Sequence, residues 1–270
     1  MLRPGCLYAT PTNTMSASSA LMAAKGTITP PKPYTAKLRA SRRCGDASRH
    51  FTPRNASGMS ATMIRALYMM AASIAEAGVA TLADTTPSPT DPRLRLWRGD
   101  ITTLAADAIV NAANSGMTGC WAPLHYCIDN AIHTFAGVQL RAACANLMAA
   151  QGHPEPTSQA KVTDGYNLPA RYVIHTVGPI ANGRPTDTHR RQLAECYRAC
   201  LDATAKAGLS SIAFCCISTG VFGFPQEEAA SIAVATVRRW LNEHPDVPMT
   251  VVFNVFSETD ESLYCPLLGL

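Results

Sequence analysis

Hydrophobic spacing changes character three times along the chain. Up to residue 57 no helical or strand period persists: Ser, Thr, Ala and Arg dominate, and Pro4, Pro11, Pro30, Pro31, Pro33 and Pro53 break every run. That pattern predicts a disordered leader. From Ser60 to Ala80, Met63, Ile64, Leu67, Met70, Ala71 and Ile74 recur at helical intervals before Gly78, which predicts a helix packed on the body. A proline-rich connection, TTPSPTDP, follows at 85–92.

Beyond it, short apolar runs alternate with longer helical patterns. Strands are expected at Leu94–Trp97, Ala108–Ala112, Ala160–Thr163, Tyr172–Val177, Ile212–Ile217 and Thr250–Phe256. Helices are expected over about Ile128–Ala150, Asp187–Ala207 and Gln226–Asn242. Val- and Ile-rich strands alternating with helices predict an α/β domain with a mostly parallel sheet over residues 94–270, after a leader at 1–57 and a helical extension and linker at 58–93. Ligands of such sheets sit beyond the carboxyl ends of the strands, so the loops after the strands are where chemistry is expected.

Charge refines the leader and not the body. The whole chain nets +4, but its first 54 residues hold nine Lys/Arg against the single acid Asp46, a local +8 that leaves −4 for the remainder. The body therefore offers no footing for a nucleic-acid reading. An acid-poor, Arg- and Ser-bearing N-terminus is the composition of an organellar transit peptide; the alternatives are a disordered tail, or a start that belongs at Met59. A cytoplasmic location is expected, or a mitochondrial one if the leader is a transit peptide. No apolar run is long enough for a membrane-spanning helix, and no membrane partner is expected.

Three loops carry candidate chemistry. In GCWAPLHYC, Cys120, His125 and Cys127 place two thiols and an imidazole within eight residues. This suits Zn²⁺ with an open fourth position, although spacing alone leaves unconnected buried thiols equally open. Cys144 cannot reach to complete the set: it lies 17 residues beyond Cys127, mostly in expected helix, which at 1.5 Å each puts it about 25 Å away. Of the other thiols, Cys196, Cys200, Cys215 and Cys216 read as small core hydrophobes.

The second loop pairs GDIT at 99–102 with NAAN at 111–114, placing Asp100 and Asn114 at strand ends; turn and cap roles are the plain alternative. The third, Ser218-Thr219-Gly220-Val221-Phe222-Gly223, follows the strand IAFCCI and opens a helix. Its small residues let backbone N–H groups converge on an anion beside a helix N-terminus, but it has no P-loop lysine. Asp129 and His133 share one helical face; Asp129 falls in the first turn beside the thiols, while His133 reads as a buried, hydrogen-bonded histidine outside the site.

Taken in order, GDIT, DAIVNAAN, the GC…H…CIDNAIH segment, GYNLPARYVIHTVGP and CISTGVFGFP resemble the macrodomain family, and within it the zinc-containing protein-ADP-ribose hydrolase branch. The resemblance spans roughly residues 94–256. It implies a three-layer αβα fold with a mixed, mostly parallel sheet and an N-terminal helical extension. It further implies an ADP-ribose cleft: Asp100 and the Ile101 backbone at the adenine, Asn114, Cys127, Ile128 and Asp129 at the distal ribose, and Ser218, Thr219, Gly220, Val221 and Phe222 around the diphosphate. Cys120, His125 and Cys127 would hold zinc, and Asn114 and Asp129 would be catalytic. Trp121 stands where the branch more often has phenylalanine.

The activity implied is zinc-dependent removal of mono-ADP-ribose from modified protein side chains, with the ADP-ribosylated protein and ADP-ribose as partners and no sequence-specific nucleic acid. The alternatives are a non-catalytic reader of ADP-ribose and a deacetylase of O-acetyl-ADP-ribose.

Overall fold

A computed structural model describes residues 78–122 and 125–270. The leader expected over 1–57 lies outside them, as does the helix expected over Ser60–Ala80 apart from its last residues.

Among the described residues, nine strands, β1 (Ala80–Thr81), β2 (Thr86–Pro87), β3 (Leu94–Arg98), β4 (Leu104–Ala105), β5 (Ala108–Ala113), β6 (Ala160–Asp164), β7 (Tyr172–Val177), β8 (Ser211–Phe214) and β9 (Thr250–Val255), are joined by five α-helices. These are α1 (Ile128–Ala136), α2 (Val138–Gln151), α3 (Asp187–Lys206), α4 (Gln226–Glu243) and α5 (Glu258–Leu268). The main sheet has seven strands in the order β2-β3-β9-β8-β5-β7-β6. Its inner five run parallel, whereas β2 and β6 are antiparallel edges. The small β1–β4 pair forms a second sheet.

The inner strands read as continuous apolar runs because both of their faces are covered. Ile109, Val110, Val173, Ile174, Ile212, Val251 and Val252 have no exposed surface at all. Helices α1 and α2 pack on each other, and α3, α4 and α5 form a separate group. Parallel pairing brings the carboxyl ends of β3, β9, β8, β5 and β7 to one edge of the sheet.

Three expectations need amendment. The helix expected over Ile128–Ala150 breaks at Gly137, where φ 93 and ψ 179 fit no helix, and α2 turns away from α1. Cys144 therefore does not lie at the far end of a straight rod. It is buried against β7, with Sγ 3.7 Å from Nε2 of His175. The strand expected to reach Ile217 stops at Phe214, which frees Cys215–Ile217 to enter the loop.

Helix α5, not anticipated, starts at a Ser257 cap whose Oγ accepts the Asp260 N–H at 3.0 Å. The proline-rich connection is tied down as well: Ser88 Oγ donates to the carbonyl of Leu268 at 2.7 Å.

Candidate active site

Each of the three loops singled out in the sequence leaves the carboxyl edge of the sheet. After β3, Asp100 caps a 3₁₀ turn: its Oδ1 accepts the Thr102 N–H at 2.9 Å and the Thr102 hydroxyl at 2.7 Å. The carboxylate is held in place with its other oxygen uncommitted among the described residues, and Ile101 behind it is buried. Phe256, 79% exposed at the end of β9, lies beside this turn, because Gly99 N–H bonds to the carbonyl of Val255 at 3.0 Å.

After β5, the Asn114 amide makes three bonds, its Oδ1 accepting the Gly116 N–H at 2.9 Å. Its Nδ2 donates to Oδ2 of Asp129 and to the carbonyl of Gly119, both at 3.1 Å. Asn111, fully buried in β5, donates from Nδ2 to Oδ1 of Asp129 at 2.9 Å and to Nδ1 of His175 at 3.1 Å. Two amides thus aim Asp129 from below, on the first turn of α1. Burial pushes its carboxyl above the ordinary range, and Asn111, the charge of Arg141 and Asn114 restrain that rise.

His133 comes within 3.6 Å of the same carboxylate. Burial, with help from Arg141, lowers its pKa to about 4, so the contact is neutral and not an ion pair. The expectation of a buried histidine holds. Its expected hydrogen bond does not, since neither ring nitrogen has a partner among the described residues.

The metal candidates also converge. The ligand atoms of Cys120, His125 and Cys127 all lie within 4.8 Å of one another, with Cys120 Sγ 3.3 Å from His125 Nδ1. All three residues are half-buried, and Cys127 caps α1 through an Asn130 N–H bond of 3.4 Å. Burial nevertheless pushes the Cys127 thiol up to about 11, and nearby Cys120 and Asp129 add to it. A divalent ion would neutralise thiolates held this close, and the tetrahedral S/N preference of zinc suits the donor set.

In the third loop Ser218 takes φ 68 and buries its hydroxyl against Gly178. The carbonyls of Ser218, Gly220 and Phe222 are tied up by the N–H groups of Phe224, Gly223 and Ala181 at 3.0, 2.9 and 2.8 Å. Those of Gly220, Val221 and Phe222 donate to no backbone carbonyl among the described residues, and Val221 is 70% exposed. The loop is thus a rigid arch lined with free donors. The neighbouring start of α4 helps an anion less than expected, because Glu227 and Glu228 already occupy its first turn.

The family model described as Macro domain matches residues 110–233. A protein-ADP-ribose hydrolase of Treponema medium is 62% identical over 174 residues, covering 64% of this chain and 66% of that protein. A protein-ADP-ribose hydrolase of Staphylococcus aureus (strain MRSA252) is 52% identical over 187 residues, 69% of this chain and 70% of that protein. The chain belongs to the macrodomain family. Among solved structures, the Trypanosoma brucei macrodomain in complex with ADP-ribose aligns with TM-score 0.61 at 38% identity, covering 69% of this chain and 75% of that one. The chain spans about two thirds of the length of the two hydrolases.

In this macrodomain the structure brings Asn114, Asp129, Cys120, His125 and Cys127 into one cluster, with Ile128 in the same first turn. Asp100 and Ile101 lie in the turn after β3, with β9 and β8 between that strand and the β5 that leads to Asn114, and the Ser218–Phe222 arch follows β8. Four contributors were not read from the sequence: Asn111, which passes for a strand residue, Gly178, Phe256 and Arg141. Each acts through a partner distant in sequence, which no local motif reveals.

Proposed function

We propose that this macrodomain is a zinc-dependent hydrolase that releases mono-ADP-ribose from modified protein side chains. One observation carries the reading: Asp129, aimed by the Asn111 and Asn114 amides, lies on the turn whose cap is Cys127 of the thiol–imidazole cluster. A site that only binds ADP-ribose needs neither group. The names of the two similar hydrolases, and the ADP-ribose complex of the trypanosome relative, support the same substrate class.

Along the sheet edge, the free oxygen of Asp100 accepts from the adenine amino group, with Phe256 offering its exposed face to the base. The Gly220–Phe222 amides receive the diphosphate. This part of the ligand is held without a lysine, in keeping with a body that nets −4. Binding of the distant adenine and diphosphate places the distal ribose over α1. Asn114 and Asp129 orient the ribose and a water toward the C1″ bond, and burial, by raising the Asp129 carboxyl, makes it a better proton acceptor than an exposed aspartate. Cys120, His125 and Cys127 would hold the zinc, which would supply Lewis-acid chemistry at the ribose end.

The test is a panel of mono-ADP-ribosylated proteins of defined linkage (Asp, Glu, Ser), treated with wild type and Asp129→Asn. Release of ADP-ribose from at least one linkage by the wild type, reduced on the order of 100-fold or more in the variant with ADP-ribose affinity kept, supports the reading. A wild type that binds ADP-ribose but releases nothing from any linkage makes this protein a reader.

A further inference from the structure

Arg141 belongs to α2, outside every ligand-bearing loop, yet its guanidinium meets the metal loop at several points. Nη1 donates to the carbonyl of Thr118. The guanidinium carbon stands 4.4 Å from the centroid of the Trp121 ring. Both terminal nitrogens lie 3.0 Å from where a side chain on Gly119 would begin, and Gly119 takes φ 85. The loop then closes on itself, because Thr118 Oγ1 accepts from Trp121 Nε1 at 3.1 Å. Cys120 therefore sits between two residues, Gly119 and Trp121, that pack on one arginine.

A different element holds the remaining ligands. Cys127 caps α1, and Asn130, on the first turn of that helix, donates from Nδ2 to the carbonyl of His125 at 3.0 Å. The cluster is thus assembled from two halves: Cys120, whose neighbours are held by Arg141 of α2 and by the Asn114 amide on the Gly119 carbonyl, and His125 with Cys127, fastened to α1. The Gly137 break is what lets two consecutive helices grip one loop from different sides.

We propose that Arg141 is a positioning residue that clamps the Cys120 half of the cluster against the His125–Cys127 half, and so sets how long a metal ion stays bound. The inference rests on the zinc reading above. Arginine suits the role because its planar fork can donate to a carbonyl while stacking on an indole, two contacts that a lysine ammonium cannot make together. It also gives Trp121 a function: the larger ring covers the guanidinium face and shields its bond to Thr118.

The experiment follows zinc release from the zinc-loaded protein into an excess of chromogenic chelator, for wild type, Arg141→Lys and Trp121→Leu, with circular dichroism to verify folding. Lysine keeps the positive charge felt by Asp129 and removes only the fork and the stack. Outer-shell partners are commonly worth 10–100-fold in metal affinity, so both variants are expected to release zinc at least about 10-fold faster than wild type. ADP-ribose affinity, set mainly at the other end of the cleft, should stay near the wild-type value. A folded Arg141→Lys protein that releases zinc at the wild-type rate overturns the clamp and leaves the zinc reading intact. If that variant does not fold, Trp121→Leu decides in the same way. Elemental analysis showing no metal in the wild type overturns the zinc reading itself, and the clamp with it.

Discussion

Replacing Gly178 by alanine attacks the Ser218–Phe222 loop from behind, through Ser218 and not through the Gly220–Phe222 amides. A methyl at Gly178 would start 2.1 Å from Ser218 Oγ and 2.9 Å from Ile217 Cγ2, where ordinary contact begins at 3.4 Å. Ser218 must then retreat by more than 1 Å. It has little freedom to do so, because it already holds φ 68 and its carbonyl is bonded to the Phe224 N–H at 3.0 Å. Overpacking of this kind costs about 1–3 kcal/mol. In a domain of this size each kcal/mol lowers Tm by roughly 2–4 °C. Gly220→Ala is the matched control, since a methyl there meets nothing within 4 Å. It should leave Tm almost unchanged yet stand where a diphosphate must approach the backbone. Scanning fluorimetry and calorimetric titration with ADP-ribose separate the two effects. Gly178→Ala should lose both stability and affinity, and Gly220→Ala should lose affinity alone, by about tenfold or more, equivalent to about 1.4 kcal/mol. Wild-type affinity in Gly220→Ala would refute the assignment of this arch to the diphosphate. An unchanged Tm in Gly178→Ala would refute the packing argument.

Other consequences are equally open to measurement. Burial lowers His175 to about 3 and His133 to about 4, so both stay neutral in the fold while the unfolded chain protonates them near 6.5. Their stabilisation is complete above pH 6.5 and falls as the solution is acidified, by roughly 1.4 kcal/mol per pH unit for each histidine. Urea unfolding at pH 6.5 and pH 5 should show this loss, and a flat profile would contradict it. Asp202→Ala removes the acceptor of the Trp240 indole N–H, a 2.6 Å bond between α3 and α4. It should cost about 1–3 kcal/mol in denaturant unfolding and leave ADP-ribose affinity untouched. Asn111→Ala withdraws one of the two amides that aim Asp129 and leaves His175 without its Nδ1 partner. Turnover should fall while the adenine and diphosphate contacts keep ADP-ribose bound, and equal losses in both would show that Asn111 serves only the fold.

How far the sequence could be read depends on whether a feature is local. Strand β7 was legible residue for residue, because YVIHTV is bounded by Arg171 and Gly178 and lies between covered faces. The three loops were legible for a related reason: the residues that act together in each are neighbours in the chain. The Gly137 break was not, because a glycine inside a helical pattern reads as a tolerated defect until its φ is known. That one angle displaced Cys144, created the second helix that grips the metal loop, and turned Arg141 from one more helix charge into a contact of Trp121. Asn111 and His175 lie 64 residues apart, and Gly178 and Ser218 lie 40 apart, so only folding reveals those pairs. The charge balance was informative throughout. With −4 over residues 55–270, the anion site proposed above would have to rest on backbone amides, and such donors leave no mark in composition.

The central claim is that this cleft hydrolyses with a metal held by Cys120, His125 and Cys127. The most direct measurement is ADP-ribose release from a mono-ADP-ribosylated protein, made before chelation, after chelation and after zinc is returned, with metal content determined at each step. Release should be lost with the metal and restored with zinc, and Cys120→Ser protein should stay inactive after the same reconstitution. Full release by protein shown to contain no metal would contradict the claim.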